Sequence, residues 1–386
     1  LPVVFIMISN HFPSTFGHSG NWIILMVMIV ASAGIKDAAG NVLAAVLTHT
    51  QAVEPAGRVI SLGVTFGPQT DDGQGTEVTL YKADGSFLGK ATYNASTGKY
   101  EYIDTGTPPY SGVLIAKMVD TDPDADYRDE ATGRTQSAEG VYLTVANVSG
   151  TGAVSLNVNP LTTVAAQKMG VSAQADSTSA PTVITSLTAA DVNTTNQAVA
   201  KAFNIVDANG NSVDITTAPV TAVVNAEGGA VDGNAYGEAL AVVSQMEQVG
   251  VLSTAQIVAK VTDALDVSKG ELTAAASTET QILYVQAAVQ TAAKSQITTA
   301  EVSSLVTAAT TATVATVDST STTATLTALQ VAALTADDIA NLSAAQIAAL
   351  GNNLARLSDT ALGSLKANQL ANVSAEQVTA LSTKVF

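Results

Sequence analysis

The strongest constraint on how this chain can fold is an eight-residue repeat near its C-terminal end. Apolar side chains stand at Leu326, Leu334, Leu342, Leu350, Leu357, Leu365, Val373 and Leu381, with one step of seven among steps of eight. A second series (Val331, Ile339, Ile347, Leu354, Leu362, Leu370, Val378 and Phe386) shifts at the same place. One straight helix cannot use such a pattern. At about 100° per residue, eight residues turn about 800°, so each repeat falls roughly 80° out of phase with the one before. Ser or Thr follows the first apolar position in many units (Thr335, Ser343, Ser358, Ser374, Ser382). Asp338, Gln346 and Gln377 stand three residues after theirs, the spacing of a capping box. Repeated caps mean that helices restart repeatedly. The pattern predicts a stack of one- to two-turn helices, a short-helix octad-repeat solenoid over 321–386, with its leucines turned to a shared interior. The competing reading is a plain bundle of short helices. Leu252–Ile257 and Ile297–Val302 match the same unit.

Upstream, from Asn41 to Pro160, the period changes to two. Arg58–Phe66, Thr76–Tyr81, Phe87–Tyr93, Lys99–Ile103, Val113–Val119, Gly140–Val148 and Ala153–Val158 read as strands, and Asp84-Gly85 supplies a hairpin turn. Short strands with regular turns predict an antiparallel sandwich. The run Val78–Gly85, then Leu88–Thr92 and Gly98-Lys99-Tyr100, resembles the carboxypeptidase-regulatory-like Ig domain of bacterial surface proteins. That resemblance implies an Ig-like fold and no particular ligand. Pro160 ends the last strand, and Thr162 or Thr163 is placed to cap a helix. Asn159–Thr163, together with Ala198–Phe203 and Val213–Val220, resembles the helical unit that follows Ig-like modules in large proteobacterial surface proteins. Val171–Pro181 reads as a linker, and Val306–Thr325 as either a linker or a packed helix.

One cluster has the residue types of a metal site. Asp120, Asp122, Asp124, Asp126, Asp129 and Glu130 alternate around a Pro-containing loop, offset only by Arg128. Calcium takes six to eight oxygen ligands, which such a loop can supply. It is not an EF-hand, because the glycine at the sixth position and the glutamate at the twelfth (here Ala131) are missing. A solvated acidic loop is the competing reading. Asp207-Ala208-Asn209-Gly210-Asn211 with Asp214 is a weaker candidate of the same kind, since Asp-x-Asn-Gly is also an ordinary turn.

The first 36 residues differ from the rest. Ser9–His18, followed by Asn21-Trp22 and an apolar run, resembles one stretch of the membrane domain of bacterial urate hydroxylases, where that run is a helix. The family's other membrane helices and its haem-binding cysteine pair have no counterpart here, so no catalytic role is carried over. The apolar run from Trp22 to Ile35 is shorter than the about 20 residues of a membrane-spanning helix. Ala31-Ser32-Ala33 has the form of a signal-peptide cleavage site, but no Lys or Arg precedes the run. The segment is expected to be buried, by lipid or by another subunit.

These segments predict a multidomain α+β chain: a hydrophobic segment over 1–36, an Ig-like β-sandwich over 37–160, a helical domain over 161–320 and the octad stack over 321–386. With 16 Lys+Arg against 33 Asp+Glu, the net charge of −17 argues against a nucleic-acid partner. Cysteine is absent, which excludes disulfides, zinc–thiolate sites and thiol nucleophiles. No nucleophile elbow, P-loop, His-Glu-x-x-His or dinucleotide fingerprint occurs, so a non-catalytic protein is expected. An acidic, Cys-free chain with stackable repeats and surface-protein modules points to a self-associating structural subunit of an extracellular or cell-surface assembly, a surface layer or filament. The alternative is a surface-anchored adhesin that binds a glycan or protein partner.

Overall fold

The computed structural model describes residues 24–29, 47–52, 57–70, 73, 75–184, 186–207, 209–274, 277–295, 297–310 and 317–382. His11, His18, Trp22, the Ala31–Ala33 triplet and Phe386 lie outside the described residues. The chain is mixed α+β and divides into two compact units, 1–57 and 58–386. In the first, β1 (Ile24–Ile29) pairs antiparallel with β2 (Leu47–Ala52), placing Ile24 opposite Ala52. The apolar run expected as a helix therefore holds a strand. A short segment with β-branched Ile24, Val27 and Ile29 suits extended backbone, and the ladder pairs its peptide groups. Among the described residues no helix is long and apolar enough to cross a membrane.

The larger unit opens with β3 (Arg58–Val64), β4 (Thr76–Lys82), β5 (Phe87–Lys90), β6 (Thr92–Asn94), β7 (Lys99–Asp104) and β8 (Gly112–Asp120). A small hairpin, β9 (Tyr127–Arg128) with β10 (Thr135–Gln136), precedes β11 (Gly140–Val148) and β12 (Val154–Val158). Two four-stranded sheets result, ordered β11-β8-β4-β5 and β12-β3-β7-β6. Their alternating inward residues, among them Ile60, Leu62, Val78, Leu80, Leu114 and Met118, form one hydrophobic cluster.

Two features depart from the sequence reading. The run 87–93 is not one strand. It breaks at buried Ala91, whose N–H donates to the Val78 carbonyl at 2.9 Å, and the chain passes from one sheet to the other. The small side chain at the crossing lets the backbone turn inward between the layers. The sheets are also not purely antiparallel, because β12 lies parallel to β3. Parallel neighbours need a long crossover, and here the chain between Val64 and Val154 provides it.

The outward face of the β11-β8-β4-β5 sheet is covered as well. Tyr81, Val113, Ile115, Leu143 and Val145 join the core of the helices α1 (Pro160–Lys168), α2 (Ala189–Ala202), α3 (Ala235–Gly250), α4 (Thr254–Ala264), α5 (Thr278–Lys294) and α6 (Thr299–Thr310). That double burial explains why β8 is apolar along nearly its whole length. Between α1 and α2 the expected linker begins with β13 (Val171–Ser172), which pairs with β14 (Thr182–Val183) just past its end. Helix α1 begins inside the core. Asn159, not Thr162 or Thr163, is its N-cap: the Asn159 Oδ1 accepts from Leu161 N and Thr162 N, and the Thr162 hydroxyl completes a capping box. The Asn159 amide also donates to the Tyr236 hydroxyl at 2.9 Å, and that hydroxyl donates to the Ile215 carbonyl at 2.8 Å. A buried helix start is tolerable because each of these polar groups has a partner.

The C-terminal repeats form α7 (Ala328–Ala332), α8 (Ala336–Asn341), α9 (Ala344–Ala349), α10 (Asp359–Gly363) and α11 (Ala375–Ser382), with 3-10 turns at Gly351–Arg356 and Gln369–Asn372. Both apolar series point into one cluster that includes Val331, Ile339, Ile347, Leu354, Leu334, Leu342, Leu350 and Leu357.

Candidate functional site

The acidic segment leaves β8 at its last residue, Asp120, and returns through β10 to β11. Alternation along β8 turns Asp120 inward, where it is 2% exposed. Its Oδ1 accepts from Asp122 N at 3.4 Å, and the Ser137 hydroxyl lies 3.2 Å from its Oδ2 and 3.1 Å from the Asp122 carbonyl. Asp126 is buried, and its Oδ2 accepts from Ala138 N at 2.6 Å. One carboxylate oxygen from each of Asp120, Asp122 and Asp126 lies within 4.8 Å of the other two. Burial pushes the Asp120 carboxyl above its ordinary range, opposed by hydrogen bonds from Asp122, Asp126 and Ser137.

Of the six acidic residues expected to converge, three do so. Asp124 stays exposed, with its N–H on Asp122 Oδ1 at 3.0 Å. Asp129 and Glu130 are carried away by the β9–β10 hairpin, toward α3. The Asp129 Oδ1 closes a turn by accepting from Thr132 N at 2.8 Å and from the Thr132 hydroxyl at 2.6 Å. The Asp129 Oδ2 accepts from the Ser244 hydroxyl of α3. Glu130 is buried, and burial followed by repulsion from Asp129 holds its carboxyl well above the usual range. The second candidate is a turn. Asp207 Oδ1 accepts from Asn209 N at 2.8 Å and from Asn211 N at 2.9 Å, while Asp214 Oδ1 accepts from Thr216 N at 2.9 Å. Both carboxylates thus close local turns through Oδ1.

The octads form the second site. Thr327, Thr335 and Ser343 cap α7, α8 and α9, and each makes a full capping box with Gln330, Asp338 and Gln346 respectively. Helix α7 packs on the Gly351–Arg356 turn, α8 on α10, α9 on the Gln369–Asn372 turn, and the Gly351–Arg356 turn on α11. Each unit therefore rests on the one three octads further along. The capping glutamines bridge these layers. Gln346 Nε2 donates to the Asp318 and Ser321 carbonyls at 2.9 and 2.8 Å, and Gln377 Nε2 to those of Ala348 and Gly351 at 2.9 Å each. Capping boxes were legible in the sequence. The second use of the same glutamines was not, because their partners lie more than 20 residues away. Two positions of the second apolar series lie at the surface: Leu370 is 42% exposed and Val378 55%.

Comparison with known proteins places one part of the chain. Residues 1–56 match the family model described as urate oxidase N-terminal, extending the N-terminal resemblance up to the start of the larger unit. No curated protein and no solved structure matches the chain.

Proposed function

We propose that this chain is a non-catalytic structural subunit of an extracellular bacterial assembly, a surface layer or filament, and that copies of it associate through the octad stack. The observation that carries the reading is a pair of exposed apolar side chains, Leu370 and Val378, on that stack. Positions equivalent to Leu370 and Val378 are buried wherever a unit three octads on covers them, as at Val331, Ile339, Ile347 and Leu354. Leu370 and Val378 are exposed, and an exposed apolar repeat face favours association. The packing of short capped helices three units apart supports a solenoid, and the paired four-stranded sheets support an Ig-like sandwich of the carboxypeptidase-regulatory-like kind. Both are scaffold architectures, and the acidic, Cys-free composition fits the cell surface or exterior.

The test is assembly of the purified chain, followed by light scattering and electron microscopy. Ordered sheets or fibres are expected from the parent and dispersed particles from a Leu370→Glu/Val378→Glu variant. Dispersed monomers from both would remove the reading. The second reading, an adhesin for a glycan or protein, draws on a cleft of about 680 Å³ beside β3 and β12, lined by Thr65, Gln69, Lys99, Asn157, Pro219 and Thr221.

A further inference from the structure

The end of the β4–β8 pair holds a polar group with no partner. Thr76 opens β4 and stands opposite Asp120 in the strand register. Directly opposed residues project to the same face, and both side chains are buried at the edge of the inter-sheet core, Thr76 at 7% exposure. The Thr76 hydroxyl oxygen has no hydrogen-bond partner. A buried hydroxyl in that state costs free energy unless a ligand meets it. Thr76 and Asp126 line one small cavity, so Thr76 neighbours one member of the carboxylate cluster there and another, Asp120, in the strand register.

A second feature brings Asp122 to the same corner. Gly75, immediately before Thr76, has φ of +71°, and a Cβ there would lie 1.8 Å from Asp122 Oδ2. The Asp122 carboxylate therefore occupies the space over Gly75 that any other residue would fill. Three carboxylates converge at the end of β4–β8, where the register also places the unpartnered Thr76 hydroxyl. Among the described residues, no lysine or arginine forms an ion pair with Asp120 or Asp122.

We propose that this corner binds a hard divalent cation of calcium's chemistry, with Asp120, Asp122 and Asp126 as anionic ligands and the Thr76 hydroxyl as a neutral one. Four protein oxygens, with water completing the shell, suit calcium, which accepts six to eight oxygen ligands in flexible geometry, better than magnesium, which demands an octahedron. Half-exposed Asp122 gives the ion a way in. The bound ion fastens the 121–138 segment onto the strands and relieves the repulsion among the three carboxylates. This inference is independent of self-association, because the corner lies in the sheets and not in the octads.

The experiment is calcium titration of the full chain by calorimetry, with melting curves in EDTA and in about 1 mM calcium chloride, a level matched to extracellular sites. The parent is expected to bind about one ion and to melt higher with calcium. Asp122→Asn should abolish both effects, Gly75→Ala should do the same by displacing the carboxylate, and Thr76→Val should weaken binding by roughly tenfold. Asp124→Asn, at an exposed position outside the cluster, should bind as the parent does. Circular dichroism identifies any variant that fails to fold, and the Asp122→Asn against Asp124→Asn contrast then decides, since both are open loop positions. Overlaid parent melting curves, or equal loss in those two variants, overturns the proposal.

Discussion

The side-chain amide of Gln369 donates to the carbonyl of Ile339 at 2.7 Å across 30 residues of chain. The same nitrogen reaches the Leu342 carbonyl at 2.7 Å, while Gln369 Oε1 accepts from Lys366 N at 2.9 Å. One buried side chain thus starts its own turn and holds the layer three octads back. Gln369→Ala should leave two carbonyls of the earlier layer without partners and cost about 1–3 kcal/mol. Chemical denaturation of the full chain, read from the octads by hydrogen exchange, checks this. A loss below that of the exposed Ala345→Lys change would show that the rungs contribute nothing.

Inside and outside of the octads are tested by neighbours in one unit. Ile347 is fully buried, whereas Ala345 is exposed. Ile347→Asp should place an unpaired charge in the core and unfold the stack, a loss of more than about 4 kcal/mol. Ala345→Lys should be neutral within about 0.5 kcal/mol. Ser343→Ala, which removes the cap of α9, should fall between them at roughly 1 kcal/mol. Equal destabilisation by Ala345→Lys and Ile347→Asp would contradict the packing.

The buried pair Arg58–Asp104 gives a third prediction. The guanidinium lies 3.4 Å from Asp104 Oδ2 and donates to the carbonyls of Tyr110 and Gly150, while Asp104 accepts from Tyr110 N at 2.6 Å and Gly106 N at 3.0 Å. The pair ties the start of β3 to the 104–111 turn. Removing one partner strands the other charge, so Asp104→Ala should cost about 3–5 kcal/mol. Arg58→Met with Asp104→Leu should recover much of that loss, because the pair is replaced by apolar volume. Urea midpoints of the single and double variants supply the measurement.

Stability should fall with rising pH near neutrality. Glu247 and Glu238, both on α3, are pushed up to about 7. Burial is the main cause for each. Asp129 adds repulsion at Glu247, where Thr254 opposes it, and Glu301 and Asp232 add repulsion at Glu238. A carboxyl raised in the folded state contributes stability that is fully present below its unfolded value of about 4.5 and is lost as pH rises through about 7. Partial solvent screening leaves about 1–2 kcal/mol for each. Carboxylates lowered by their own turns, such as Asp207 and Asp318, act in the opposite direction and only as pH falls below about 4. The melting temperature should therefore drop between about pH 5 and pH 8, and Glu247→Gln should flatten the curve. An unchanged slope in that variant would show that Glu247 does not titrate in this window.

Whatever depends on residues two to four apart could be read from the chain alone. Strand alternation in β4, the Asp84-Gly85 turn and the boxes Ser343–Gln346 and Thr335–Asp338 are of this kind, because neighbouring backbone and side-chain geometry sets them. Tertiary structure decided the rest. The sheet change at Ala91, the parallel placing of β12 beside β3 and the reach of Gln369 to Ile339 are pairings between distant segments, and no local period encodes their register. The acidic segment shows the same division most clearly. Its six carboxylates are evident in the sequence. Only the β9–β10 hairpin separates Asp129 and Glu130 from the other acids, and only the register of β4 against β8 brings Thr76 to Asp120. Carboxylates close in sequence share a site only when the backbone between them turns their oxygens toward one point, and that turning is fixed by strands from elsewhere in the chain.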